Sequence, residues 1–380
     1  MTLNTPFLAE HQRLGAKMAP FAGWNMPLHY GSQLTEHQAV RSNVGMFDVS
    51  HMGQFSVQGQ RAAELLLRYA TCDVSKLVDG QARYGMACLD DGGILDDLII
   101  TRLAADHYFI VVNAGRIAED FARLLEVRER HGFSDVGVRN ESPEWAMIAV
   151  QGPRAAEVLG GLAGFADASW TTSLRYFHVV PVAYAGAAGY ASRTGYTGED
   201  GFEVILPAEA GLELWAALLA AGVQPCGLAA RDTLRLEAGY LLNGNDMSPA
   251  NNPFEMGAGW CVQLDRATPP EGAEALRAAK ANPHGRRFVG LELEGRGIPR
   301  HGLAVALVAG EGAEPRRVGE VTSGTFSPTL QKGIALALVE GAAVEAARAG
   351  AGRLAIVIRE VAMPARVVKP PFVKETSLKR

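Results

Sequence analysis

The distribution of apolar and polar positions along this chain predicts strands and helices in two related blocks, then a run of short strands. Ala82 to Leu89 leads into Asp90-Asp91-Gly92-Gly93, a strong turn signal; Ile94 to Leu103 returns, and His107 to Asn113 comes back again, which reads as an antiparallel meander. Ile117 to His131 follows as an amphipathic helix with Ile117, Phe121, Leu124 and Leu125 on one side. Further on, Phe202 to Leu206 reads as a strand with apolar residues on both faces, entered through a tight turn at Glu199-Asp200-Gly201. Gly227 to Gly239 is predicted as a helix opened and closed by glycines. Beyond Pro283 come Phe288 to Leu293, Leu303 to Val308, Gly319 to Thr322, Lys332 to Leu338 and Leu354 to Ile358, with glycines between them, the pattern of a small β-barrel.

One segment recurs. Val57-Gln58-Gly59-Gln60-Arg61-Ala62-Ala63-Glu64-Leu65-Leu66 returns as Val150-Gln151-Gly152-Pro153-Arg154-Ala155-Ala156-Glu157-Val158-Leu159. In both copies an apolar strand turns at Gly into a helix rich in Ala and Leu, and Pro153 suits a first helical turn. A repeat this short does not make a solenoid. It implies two related strand–helix units within one α+β core. The expected division is a core over residues 1–280 and a barrel domain over 281–380, with the boundary near 280–285.

Composition narrows the class. With 380 residues, 48% of them hydrophobic, the chain can build two or three domains with substantial cores. Charge is nearly balanced at a formal −5, which argues against a nucleic-acid binder. It is unevenly spread: residues 281–380 hold 15 Lys/Arg and 9 Asp/Glu, a net +6, so the preceding part carries −11. Cys72, Cys88, Cys226 and Cys261 lack the paired spacing of zinc or redox motifs and read as free thiols of a reducing compartment. No apolar run reaches the roughly 20 residues that span a bilayer, and no signal pattern opens the chain, so the expectation is a cytoplasmic protein with no membrane partner.

Candidate chemistry rests on carboxylates, tyrosines and arginines. Glu203 sits inside an apolar strand, where a carboxylate must either pair with a neighbouring Arg or grip a ligand, with Tyr196 beside it. Asp96 and Asp97 share the middle strand of the meander. Adjacent strand residues point to opposite faces, so one of the two faces the more buried side; Tyr84 and Asn113 fall close to the same face. Arg231 and Arg235 are four apart on the predicted helix, placed for surface ion pairs or for a buried partner such as Glu203. Gly-x-Gly-x-x-Gly after a strand, a phosphate loop, a His pair at metal spacing and the Gly-x-Ser-x-Gly elbow are all absent from the sequence. A site without metal, suited to a cationic or amine-rich substrate, is the expectation.

Taken together, several segments carry a family resemblance. They are Phe21-Ala22-Gly23-Trp24-Asn25-Met26-Pro27, Phe47-Asp48-Val49-Ser50-His51-Met52-Gly53, Gly92-Gly93-Ile94-Leu95-Asp96-Asp97, the stretch from Gly195 to Glu203, the Gly227 to Gly239 helix, Thr322-Ser323-Gly324-Thr325-Phe326-Ser327-Pro328 and Lys369-Pro370-Pro371-Phe372-Val373-Lys374. As a set they resemble the aminomethyltransferase (T-protein) family of the glycine cleavage system, from about Thr5 to Lys374. The resemblance implies a folate-binding α+β core of two related subdomains around a central channel, plus a C-terminal β-barrel domain. It implies tetrahydrofolate as co-substrate and lipoylated H-protein as partner, with ammonia and methylene-tetrahydrofolate released.

By resemblance the catalytic acid is Asp97, the second of the pair. Glu203 would grip the amino-pyrimidine edge of the pterin, whose parallel N–H donors match two carboxylate oxygens. Tyr84, Asn113, Tyr196, Arg231 and Trp260 would complete the pocket, with Lys374 near the folate tail. Many relatives carry Arg where this chain has Lys374, which keeps the charge but loses the bidentate fork. Two alternatives stand beside this reading. One is a folate-dependent demethylase of the same superfamily. The other is a non-catalytic folate-binding scaffold, against which the paired aspartates and the lack of a cysteine motif at 195–199 both argue.

Overall fold

A computed structural model describes residues 2–282, 285–310 and 313–379. The meander forms as expected: strands Ala82–Cys88, Ile94–Ala104 and His107–Val112 pair antiparallel in sequence. Strand Gly53–Gln58 adds beside the last of them and Gly137–Asn140 closes the far edge, a five-stranded sheet.

The ten-residue repeat marks a much longer one. Strand Gly53–Gln58 is followed by helix Ala62–Tyr69, the meander, helix Ile117–Arg130 and strand Gly137–Asn140. Strand Trp145–Gln151 is followed by helices Ala155–Gly160 and Trp170–Ser173, a second meander (Val179–Tyr184, Ala187–Ser192, Gly201–Pro207), helix Ala208–Ala220 and strand Gln224–Pro225. Within each sheet the opening strand pairs with the third meander strand. The sheets differ at one place: Gly45–Asp48 is inserted between Trp145–Gln151 and Gln224–Pro225 in the second. Both copies turn on a glycine with positive φ. A Cβ on Gly59 (φ 140°) would meet the Asp135 carbonyl oxygen at 2.9 Å, and one on Gly152 (φ 128°) the Asn43 carbonyl oxygen at 2.5 Å. Only glycine fits those two turns.

Each unit has its own apolar core. Phe55, Leu65, Leu66, Ile100, Ile110 and Leu124 fill the first; Phe7, Met46, Ile148, Phe202, Leu214 and Trp215 fill the second. A further cluster joins them, where Phe109 of the first sheet meets Phe47, Met147 and Ile205 of the second. The amphipathic helix Ile117–Arg130 buries Asp120, Leu124 and Val127, whereas Leu125 is only half-buried, so its inward face includes a carboxylate that hydrophobic periodicity did not mark.

The C-terminal strands close into a six-stranded barrel: Arg286–Leu293, Lys332–Glu340, Arg316–Ser327, Ala304–Val308, Arg353–Ile358 and Val361–Val368, the last pairing back to the first. Strand Val361–Val368 and helix Gly341–Arg348 were not foreseen. Pro364 lies in that strand and Ala residues dominate the helix, so neither carries a strong apolar signature. Of the expected boundary at 280–285, residues 283 and 284 lie outside the described residues.

Helix Leu228–Ala238 locks barrel to core. Arg235, 1% exposed, reaches Asp246 at 2.9 Å and the Ser323 hydroxyl of the barrel at 2.8 Å. Two residues on, Glu237 accepts from Arg41 at 2.8 Å, from the Thr329 amide at 3.0 Å and from the Ser327 hydroxyl. Its backbone carbonyl takes the amides of Phe372 and Val373, which ties down the C-terminal segment. Arg235 is therefore structural, and the helix terminates at Gly239 in the left-handed conformation (φ 75°).

Candidate active site

The site begins with the middle strand of the first meander. Strand alternation sends Asp96 inward, fully buried, and leaves Asp97 half-buried on the opposite face. Tyr84 on the neighbouring strand donates its hydroxyl to Asp97 Oδ2 at 3.0 Å. Asn113, just past the third strand, offers its side-chain amide to Asp97 Oδ1 at 2.8 Å and to Asp96 Oδ1 at 2.9 Å, and its backbone N–H to Asp96 Oδ2 at 2.9 Å. Burial and the neighbouring Asp96 raise the Asp97 carboxyl to about 7, against the hydrogen bonds from Tyr84 and Asn113 that favour its ionised form. A carboxyl poised there can hold or release a proton at neutral pH.

Trp260 lies on the short turn Gly259–Cys261. Cys261 is buried beneath it, and Trp260 projects outward, 70% exposed, its ring stacked on Tyr84 with centroids 5.4 Å apart. An aromatic this exposed beside a catalytic-type carboxyl offers a flat face to a planar ligand or to a partner.

The second unit supplies the rest. Glu203 stands on strand Gly201–Pro207, half-buried, with the Thr194 hydroxyl donating to Oε2. No other hydrogen bond or ion pair occupies Glu203 among the described residues. Burial raises its carboxyl, while Thr194 and the charge of Arg231 pull the other way. Arg231 lies over the Tyr196 ring, its guanidinium carbon 4.8 Å from the centroid, and Tyr240 stacks behind at 5.7 Å. Arg231 makes no hydrogen bond or ion pair among the described residues, so its planar fork of donors remains available to a ligand.

The turn into the Glu203 strand differs from expectation. Residues 193–200 form an eight-residue connection, not a tight hairpin, and its left-handed residue is Gly198 (φ 78°). Glu199 is buried there, pairing with Arg41 at 3.0 Å and with the backbone amide of Ser377 at 2.7 Å. Asp200 pairs with Arg193. Tyr196 is thereby carried toward the first unit, close enough to Asp97 for their charges to interact, and its hydroxyl donates to the Leu241 carbonyl. A hairpin of only the minimum length would leave Tyr196 no room.

The structure thus brings Tyr84, Asp97, Asn113 and Trp260 together from the first half and its cover, and Tyr196, Glu203 and Arg231 from the second. Lys374 stays apart: it is exposed and makes no hydrogen bond or ion pair among the described residues. Sequence reasoning missed Thr194, Tyr240 and Asp120. Thr194 and Tyr240 flank singled-out segments and could have been found by proximity; Asp120 was hidden within a helix.

Comparisons with known proteins bear on the family and the fold. The chain matches the family model for the GCVT N-terminal domain over residues 7–266 and that for the glycine cleavage T-protein C-terminal barrel domain over residues 286–374. It is 43% identical to an aminomethyltransferase of Symbiobacterium thermophilum over 374 residues, 97% of this chain and 96% of that protein. It is also 43% identical to one of Stenotrophomonas maltophilia over 377 residues, 99% and 97% respectively. The crystal structure of glycine cleavage system aminomethyltransferase T from Bartonella henselae superposes with a TM-score of 0.87 at 35% identity, covering 99% of both chains.

Proposed function

The chain belongs to the glycine cleavage T-protein family of aminomethyltransferases, and from that premise we propose that it takes the aminomethyl group from the dihydrolipoyl arm of H-protein, with tetrahydrofolate as acceptor. Ammonia, methylene-tetrahydrofolate and reduced H-protein leave. When bound, tetrahydrofolate supplies the amine that receives the one-carbon unit.

The observation that carries the reading is the Asp97 carboxyl, held by Tyr84 and Asn113 beside the exposed Trp260. Ionised, Asp97 stabilises positive charge developing at the transferring carbon; as its value lies near 7, it also holds or accepts a proton at the reacting nitrogen. Glu203 receives the N–H donors of the amino-pyrimidine edge on the carboxylate that Thr194 orients. The fit is chemical: an acceptor without a second partner faces a group made of donors, and Arg231 is a free cation for an acidic ligand. Tyr196 and Trp260 supply ring faces, and Lys374 is an exposed cation for an anionic tail. We assign 1–280 to the folate-binding core, 281–380 to the barrel, and a cytoplasmic location.

The test is a balance of products. The purified chain, given aminomethyl-loaded H-protein and tetrahydrofolate, yields ammonia and methylene-tetrahydrofolate in equal amounts. Transfer of a methyl group from a sulfonium or methoxy donor, with no ammonia from loaded H-protein, establishes the demethylase instead.

A further inference from the structure

Behind Asp97 lies a carboxyl pair that the reaction as described does not use. Asp96 and Asp120 are both 0% exposed and face each other closely enough for each to act on the other's carboxyl. Tyr69 donates to Asp120 Oδ1 at 3.0 Å, whereas Asp120 Oδ2, fully enclosed, has no donor among the described residues if every carboxyl is ionised. On the other side, the Asn113 side-chain amide has three acceptors within 3.0 Å: Asp96 Oδ1, Asp97 Oδ1 and the Asp97 carbonyl. Its two hydrogens can serve all three only by sharing one between two acceptors. A closed site with one acceptor too many on each side is short of a proton, and two carboxylates in contact away from water cannot both be charged.

We infer that Asp96 and Asp120 share one proton at neutral pH, and that Asp120 is a positioning residue which, by holding that proton against Asp96, limits the charge Asp96 sets beside Asp97 and lets Asp97 carry the negative charge the transfer needs. This rests on the reading of Asp97 as the reacting carboxyl. The charged and titratable groups around the pair are few. Tyr69 faces it from helix Ala62–Tyr69, Arg116 acts on Asp120 from the turn ahead of helix Ile117–Arg130, and Asp97 lies on the next residue of the strand. Arg116 is already engaged with Asn243 at 3.2 Å. Tyr84, Tyr196 and Cys261 face Asp97 from the other side. Burial raises both carboxyls above their ordinary range, and the charge of Asp120 adds to this at Asp96.

Asp120→Asn moves the charge. The new amide donates to Asp96, which then ionises next to Asp97 and raises it. The acidic limb of kcat/KM against pH shifts upward by about 1 unit, whereas a residue that merely filled space would lower the rate without moving the limb. The pair itself is read without activity. In the Asp97→Asn protein, labelled with carbon-13 on aspartate carboxyls, infrared spectra at pH 8 should show a protonated carboxyl band. That band should disappear when Asp96→Asn or Asp120→Asn is added, and persist, shifted, with Tyr69→Phe, which removes only a hydroxyl. Absence of the band in the Asp97→Asn protein overturns the shared proton, whatever the reaction proves to be. Presence of the band with an unmoved acidic limb in Asp120→Asn overturns the positioning role.

Discussion

Tyr84 and Asp97 meet diagonally across two paired strands. Tyr84 stands opposite Ile99 and Asp97 opposite Met86, so both side chains share one face of the sheet and the hydroxyl reaches Oδ2 at 3.0 Å. The same tyrosine carries Trp260 on its ring. One side chain therefore orients the carboxyl and supports the aromatic beside it.

Asp97→Asn keeps that shape and removes the charge. Turnover with loaded H-protein should fall by about 10²- to 10⁴-fold, the range for a positioned proton-transfer group. Circular dichroism and melting of the variant confirm that the fold is intact. Near-normal turnover transfers the role to Asp96 or ends the mechanism.

The same variant should be more stable than the parent at alkaline pH. The Asp97 carboxyl is raised to about 7 in the fold, so between about 4 and 7 the folded chain binds a proton that the unfolded chain has lost. Stability from this group is therefore complete below the unfolded value and declines as pH rises through 7. Relieving it should gain on the order of 1–3 kcal/mol at pH 8 and little at pH 4. Denaturant melts at the two pH values measure the difference, and an equal effect at both removes the strain.

Glu203→Gln exchanges an acceptor for a donor where the pterin presents donors. Folate affinity should weaken by about 1–3 kcal/mol. Calorimetric titration of the folded variant decides; unchanged affinity makes Glu203 a partner of Thr194 and nothing more.

Lys374 tests the tail. Its exposure, and the lack of a partner among the described residues, mean that Lys374→Gln should leave stability unchanged yet weaken folate, more so for polyglutamylated forms. The net +6 of residues 281–380 should also speed encounter with an acidic carrier. Exposed charges are screened over roughly 8–10 Å, so kcat/KM for H-protein should fall with salt while kcat holds. A salt-independent kcat/KM removes the steering.

Glu237 is the contrasting case, a carboxylate whose work is structural. Burial opposes its charge, but His37, Arg41 and Ser327 hold it down to about 2. Its contribution is complete above the unfolded value near 4.5 and is lost as pH falls toward 2. Glu237→Ala takes from Arg41 one of its two carboxylate partners, Glu199 remaining, and removes the acceptor of the Ser327 hydroxyl and the Thr329 amide; it should cost about 3–5 kcal/mol at pH 7. A thermal scan that resolves core and barrel should show the two transitions separating.

Much of this was legible in the residues. The meander, the helix between Gly227 and Gly239 and the barrel character of the C-terminal strands follow from turn glycines and apolar runs, and strand alternation requires that one of Asp96 and Asp97 be the more buried, though not which. The ten-residue echo at 57 and 150 pointed to a duplication but not to its extent, because strands keep their order in space while their residues change. Three things were opaque for physical reasons. Asp120 lies on the inward face of a helix, where only its buried partners distinguish it from a solvated charge. The long connection before Glu203 resembles a hairpin in its residues, yet it is stretched by the pairing of Glu199 with Arg41 and the C-terminal segment. Strand Val361–Val368 completes the barrel through backbone bonds that its mixed side chains do not announce.

The duplicated units have diverged into unequal trades. The half with the five-stranded sheet carries the carboxyl cluster, Asp96, Asp97 and Asp120, while its twin carries Glu203, Tyr196 and, on the helix that follows, Arg231. On the proposed reading, reactivity and grip lie on separate copies of one repeated module. Substitutions in the first should then alter turnover without loosening the hold exerted by the second, and substitutions in the second should loosen the hold while the carboxyl cluster keeps its geometry.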